Sequence, residues 1–219
     1  MKDYAMVKQS FRALNDVNLS LNTGEFCGLV GPSGSGKTTL LNIIGALDNP
    51  TSGDVIVMDK SVTALSHKEA AKMRTESIGF IFQTYNLLPV YSVFENVAFP
   101  LLLLKKNKTE REEAVMQALE WVGLTGKANS RPGQLSGGES QRVAVARAMV
   151  KLPKIVLADE PTANLDTANS HNILQTMQNL NHELKTTFIF ATHDEKVIGY
   201  LRRKIVLNDG KVVDDINLH

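Results

Sequence analysis

The chain has 219 residues, enough for one sizeable domain around a buried core, or for one domain with an inserted lobe. Lys and Arg number 24 against 23 Asp and Glu, and the formal net charge of +1 argues against a nucleic-acid binder that works by bulk positive charge. Hydrophobic residues make up 43%, an ordinary globular share, and the single cysteine, Cys27, excludes an internal disulfide and suits a reducing compartment.

At the start, Met1-Lys2-Asp3-Tyr4 has no apolar stretch behind its lysine and does not read as a signal peptide. Glu25 to Val30 reads as a buried strand, since its apolar residues run together rather than alternate, and it is followed by a glycine-rich turn and a predicted helix over Thr38–Ile44. Asp54–Asp59 and Ile78–Phe82 predict two further strands. From Thr109 to Val150 the pattern is helical. Thr109 and Glu112 suggest a capping box, and Ala114, Val115, Ala118, Leu119 and Val122 recur at helical spacing, a stripe best read as core. The longest leucine run, Leu101–Leu104, is far short of the ~20 apolar residues a membrane span needs. Ile155–Ala158 and Phe188–Ala191 are two more buried-strand runs. Strands alternating with helices predict an α/β domain with a mainly parallel sheet. No repeat, low-complexity tract or linker interrupts it. The simplest layout is a core of residues 1–83 and 151–219 with a helical lobe inserted over 84–150.

The chemistry-bearing motifs sit at the ends of these elements. Gly31-Pro32-Ser33-Gly34-Ser35-Gly36-Lys37-Thr38 fits G-x-x-x-x-G-K-[ST] between a predicted strand and a predicted helix. Glycines there let backbone N–H groups curl around phosphate oxygens, and the helix start behind them adds positive dipole. Lys37 can reach the β and γ phosphates, and the Thr38 hydroxyl can sit on Mg²⁺. The strand Ile155–Ala158 ends in Asp159 and Glu160. The first acid is placed to hold Mg²⁺ and the second to polarise an attacking water. Leu135-Ser136-Gly137-Gly138-Glu139 is a second glycine-rich helix start, with Ser136 and Glu139 as a capping box. Taken alone it is simply a capped helix. Yet two glycines in a first turn weaken a helix by about 1 kcal/mol each, which makes sense if something must come close to the backbone. Gln83 and His193 would not stand out on their own; one reads as a solvated loop residue and the other as a satisfied polar group.

The order of these motifs, followed by Pro161–Asp166 and Thr192-His193-Asp194, resembles the ATPase domain of ABC transporters over nearly the whole chain. The resemblance implies an α/β P-loop NTPase (RecA-like) core with a mainly parallel sheet, an antiparallel β subdomain and an inserted helical subdomain. It implies ATP and Mg²⁺ as ligands. Gly31, Ser33, Gly34, Ser35, Gly36, Lys37, Thr38 and Thr39 would hold the phosphates, with Thr38, Gln83 and Asp159 at the metal. Gln83 would sense Mg²⁺ and the γ-phosphate, Glu160 would be the general base, and His193 would contact the γ-phosphate. Ser136, Gly137, Gly138 and Glu139 of one subunit would close over the nucleotide held by the other, so the working unit would be a homodimer. Asp166 would end the loop that links the two sites. Tyr4 would stack on adenine, although the chain begins just before it, where relatives usually have a further strand; either the start is misassigned or trimmed, or the protein lacks an edge strand.

Glu160–Asp166, Asn86-Leu87-Leu88-Pro89 and Glu95–Pro100 resemble the lipoprotein-releasing (Lol-type) and macrolide-exporting (MacB-type) branch, with Ala163 where that branch usually has glycine. A separate integral membrane permease subunit is therefore expected as partner, with the chain peripheral on the cytoplasmic side of the inner membrane and touching the membrane only through that partner. The segment Thr84–Leu88 is the expected contact, a groove for a short helix of the membrane subunit. Lipoprotein, peptide or amphipathic cargo would follow from the branch. Rival readings are weaker. A GTPase should carry Asn-Lys-x-Asp, which is absent. DNA-repair relatives carry long coiled coils, and translation relatives usually carry two cassettes. A membrane complex that transmits force or senses a peptide without transport keeps every motif.

Overall fold

The computed structural model describes residues 1–5 and 10–218. Its centre is a six-stranded sheet in the order β10-β9-β3-β8-β7-β6. The strands are β3 (Phe26–Val30), β6 (Ile78–Ile81), β7 (Ile155–Asp159), β8 (Thr187–Thr192), β9 (Arg203–Asn208) and β10 (Lys211–Asn217). The β6-β7, β7-β8, β8-β3 and β3-β9 pairs are parallel; β10 returns antiparallel to β9. Two separate antiparallel pairs lie outside it, β1 (Lys2–Ala5) with β2 (Ser10–Leu14), and β4 (Ile56–Val57) with β5 (Lys60–Ser61). The helices are α1 (Lys37–Ile44), α2 (His67–Ser77), α3 (Val93–Leu103), α4 (Lys108–Trp121), α5 (Gly137–Met149), α6 (Thr167–Leu184) and α7 (Glu195–Ile198).

The unbroken apolar runs of β3, β7 and β8 follow from burial on both faces. Alternate residues point to opposite sides, so one strand feeds two cores. Phe26, Val156, Ala158, Phe188 and Phe190 join the core built with α3, α4, α5 and α6. Cys27, Leu29, Leu157, Ile189 and Ala191 join the one built with α1 and with Met73 of α2.

Several expectations need correction. The cap of α4 is Asn107 with Glu110, not Thr109 with Glu112. Asparagine at that position accepts from the N3 amide as serine or threonine does, and it starts the helix two residues earlier. Asp54–Asp59 is no continuous strand: only Ile56 and Val57 pair, and the chain turns back through Met58 and Asp59, both at positive φ. Tyr4 lies on a short strand of its own, β1, which pairs with β2. The polar α2 was not expected; with only Met73 buried it shows no apolar stripe.

Candidate functional site

The phosphate-loop sequence lies where expected, between β3 and α1, with Gly36 as the N-cap of α1. Three observations test whether a polyphosphate and a hard cation would fit it. Lys37, only 7% exposed, rests its ammonium on loop carbonyls, Nζ donating to Gly31 O at 2.7 Å and Pro32 O at 2.9 Å, and no carboxylate neutralises it among the described residues. Ser35 Oγ is buried and has no hydrogen-bond partner among them. Gly34 has φ 81°, and a Cβ there would meet nothing within 4 Å, so the loop has open space beside its backbone amides. An anion supplies what all three lack. For a cation, Thr38 and Asp159 bring together two oxygen donors of the type Mg²⁺ prefers.

The second cluster is at the carboxyl ends of β7 and β8. Thr38 Oγ1 donates to Asp159 Oδ1 at 3.1 Å, which ties the phosphate loop to β7. Burial raises the Asp159 pKa and the neighbouring Glu160 charge raises it further, against the Thr38 hydrogen bond and the Lys37 charge. A bound cation would reverse that balance. Glu160 sits at φ 44°, a backbone region that costs a non-glycine residue about 1 kcal/mol or more. Its amide is nevertheless pinned to Ala191 O at 2.9 Å. The carboxylate is held from two sides. Thr192 Oγ1 donates to Oε2 at 2.9 Å, and His193 Nδ1 to Oε1 at 2.6 Å. The strained turn therefore aims a carboxylate, already hydrogen-bonded and largely shielded, beside the phosphate loop, with an exposed imidazole against it.

Tyr4 reaches this end of the molecule through β1. Its hydroxyl donates to Asp48 Oδ2 at 2.9 Å, and the Lys2 ammonium stands 4.8 Å from its ring centroid while pairing with the same Asp48. Burial and Asp48 raise the phenol pKa against a smaller opposing effect of Thr39.

The remaining residues singled out by sequence gather elsewhere. Ser136 caps α5, its Oγ accepting from Glu139 N at 3.2 Å while Glu139 pairs with Lys127 at 3.2 Å. Asp166 caps α6 and accepts from Asn169 N at 2.8 Å. Gln83 follows β6, and its carbonyl accepts from Asn164 Nδ2 at 2.9 Å. These three segments meet one another. A Cβ on Gly137 would stand 3.1 Å from Tyr85 Oη, and one on Gly138 only 2.5 Å from Asn169 Oδ1. Gly138 is thus glycine because α5 packs its first turn against the start of α6. No hydrogen bond joins Ser136–Glu139 to the phosphate loop among the described residues.

Sequence reasoning missed the residues that hold the segment after Gln83. Arg147 of α5 donates to Tyr85 O and Asn86 O, each at 2.6 Å. Asn96 of α3, fully buried, accepts from Leu88 N at 2.7 Å and donates to the carbonyls of Leu88, Tyr91 and Ser92. A signal existed for Arg147: it is a lone cation inside the apolar run Val143–Val150. The held segment borders a groove of about 410 Å³, lined by Phe80, Phe82, Leu88, Phe99, Leu103 and Leu47 among others. No described helix is long and apolar enough to cross a membrane.

Residues 14–163 match the family described as ABC transporter. Among solved structures, the chain is similar to the ATP-binding cassette MJ0796, described as a bacterial ABC transporter cassette, at 41% identity and a TM-score of 0.92. That match covers 100% of this chain and 96% of the other, in dimeric structures that include a post-hydrolysis state with ADP and Pi. It is also similar to cbiO1 from Clostridium perfringens, described as part of the ABC transporter complex cbiONQ, at 30% identity and a TM-score of 0.88, covering 99% and 86%.

Proposed function

The chain belongs to the ABC transporter family of ATP-hydrolysing cassettes, and from that premise we propose that it works as a homodimer closed around two ATP, driving a separate membrane subunit. The observation that carries the proposal is the separation of its two anion-ready helix starts. One, at Lys37, lies in the cluster with Asp159, Glu160 and His193; the other, at Ser136, lies in a different cluster with Tyr85, Asn164 and Asn169. A subunit built this way supplies half of each site, and the dimeric MJ0796 cassette supports the same arrangement here.

In this reading Gly31 to Thr39 bind the phosphates, Lys37 pairs with their charge, and Tyr4 packs on the adenine. Thr38 and Asp159 would hold Mg²⁺, with Gln83 joining them from the neighbouring cluster, and the ion would supply positive charge to the phosphates. Glu160 takes a proton from the attacking water at the oxygen that now faces His193. His193 orients that carboxylate and contacts the γ-phosphate. Ser136, Gly137, Gly138 and Glu139 close over the partner subunit's nucleotide, and Asp166 with its loop connects the two sites. Residues 84–150 act as a lobe that moves with Gln83. The test is Glu160→Gln, which keeps the shape and removes the base. ATP should bind while hydrolysis falls by about a hundredfold or more. Light scattering should then show a dimer in saturating ATP; a variant that stays monomeric there overturns the shared-site reading.

The groove beside Tyr85 and Leu88 is, in this proposal, the seat of a short helix of the membrane subunit, and the chain is peripheral on the cytoplasmic side of the inner membrane. The stretches Asn86–Pro89, Glu95–Pro100 and Glu160–Asp166 favour a partner of the Lol or MacB type and lipoprotein, peptide or amphipathic cargo. Tyr85→Glu and Leu88→Glu should abolish co-purification with the membrane subunit and leave hydrolysis by the free protein within about threefold of normal. Normal complex formation would remove this interface and leave the ATPase untouched.

A further inference from the structure

Phe99, Leu103 and Leu47 are 40%, 58% and 48% exposed around the groove, a concentration of bare apolar surface that a monomer has no use for. Its wall is not only apolar. Among the described residues three cations line it, Arg74 at the end of α2, Arg147 in α5 and Lys151 just after α5, and no carboxylate does. In a chain with 24 basic and 23 acidic residues, this is a local segregation of charge. None of the three takes part in an ion pair among the described residues. All rest on backbone carbonyls: Arg74 on Ala46 O at 2.5 Å, Arg147 on Tyr85 O and Asn86 O, and Lys151 on Arg74 O at 2.6 Å and Thr75 O at 2.9 Å.

Carbonyls satisfy N–H groups but neutralise no charge. Lys151 has three donors and uses two of them, and each guanidinium has five and uses at most two, so each cation keeps capacity to donate. Burial lowers the Lys151 pKa to about 8 and also lowers that of Arg147, the direction expected for half-buried cations without a counter-ion. The same chain shows what such an arrangement accommodates. In the phosphate loop the Lys37 ammonium lies on Gly31 O and Pro32 O, two carbonyls and no acid, in a site that is built for an anion.

We infer that the groove accepts an acidic amphipathic helix of the membrane subunit, one that lays apolar residues on Phe99, Leu103 and Leu47 and sets a carboxylate among Arg74, Arg147 and Lys151. This rests on the groove reading above and adds the charge of its occupant. A carboxylate there exchanges carbonyl contacts for charge-assisted bonds in a half-dry site, where they are strongest and where a like-charged helix is rejected.

The probes are labelled synthetic helical peptides that share one leucine face and differ only in carrying two Glu, two Gln or two Lys beside it. Binding to the full chain is read by fluorescence anisotropy. The Glu peptide should bind about tenfold or more tightly than the Gln peptide, the Lys peptide should bind most weakly, and the Glu advantage should shrink as salt rises from about 0.05 to about 0.5 M. Arg74→Gln combined with Lys151→Met should erase that advantage, with circular dichroism and melting reporting that the variant is folded. If Glu and Gln peptides bind alike and Leu103→Asp abolishes both, the groove stands and the charge inference is overturned. If no peptide responds to Leu103→Asp, the groove reading itself fails. If the free protein is a dimer that Leu103→Asp dissociates, the occupant is a second copy, and the inference is overturned.

Discussion

The two ends of the molecule solve a similar problem by different means. At the phosphate end, Lys37 and the loop around it come from eight consecutive residues, and the acids they face come from the tip of the parallel strand β7, separated from β3 by β8, and the residue after it. At the groove, the cations come from α2, α5 and the residue pair after it, and the rim loop is held at a distance by Arg147 and Asn96. Both ends place an ammonium on carbonyls. The first does so with local sequence, the second only after the chain has folded. The difference teaches that a motif is legible when its geometry is local, and that a surface assembled by long-range contacts leaves only scattered signals.

Substitutions should respect this division. Lys37→Ala should have the largest effect, lowering ATP turnover by about a hundredfold or more in a steady-state assay, as the loss of one charge on a developing anion does elsewhere. Peptide binding at the groove should be unchanged in the same protein; a parallel loss would mean that the two ends are not separable. Asn96→Ala strikes the other end. It strands one buried amide and up to three carbonyls around Leu88–Ser92, and should lower unfolding free energy by about 2–3 kcal/mol in urea titration. Turnover by the folded fraction should stay within about threefold. A drop as large as that of Lys37→Ala would make the rim loop part of the hydrolytic machinery. Tyr4→Ala should be smallest, weakening ATP by about threefold to tenfold, or about 1 kcal/mol, measured by nucleotide titration. An unchanged affinity would assign the ring to the Lys2–Asp48 cluster alone.

The parts read correctly from sequence share a physical cause. β3, β7 and β8 are covered on both faces, so their residues are apolar without interruption. Lys37, Thr38, Asp159, Glu160 and His193 could be named together as candidates because their motifs follow one another along the chain in a recognisable order. What was missed is either polar or distant. α2 buries a single side chain, and β10 is mostly exposed, so neither carries a pattern. The hairpin between β9 and β10 did leave a trace, Asp209-Gly210, both at positive φ as a two-residue turn requires. Ile173, Leu174, Met177 and Leu180 recur at helical spacing along α6, a signal present in the sequence that a motif-centred reading overlooks. Asn96 gave none. Four hydrogen bonds to main chain five to eight residues away, or one turn back, have no sequence signature beyond the amide itself.

Helix α5 has a consequence of its own. Its 13 residues form a rod of about 20 Å, with Gly138 packed on the start of α6 at one end and Arg147 near the other, just ahead of Lys151. A rod cannot tilt at one tip alone. Whatever free energy a groove occupant gains by favouring one tilt reappears as a preference for one state of the opposite tip, and by thermodynamic reciprocity the factor is the same in both directions. In the proposed function, where the groove seats the membrane subunit, the coupling between that subunit and nucleotide is a single number. It can be measured from either side: as the change in helix affinity when nucleotide is added, or as the change in nucleotide affinity when the helix is seated.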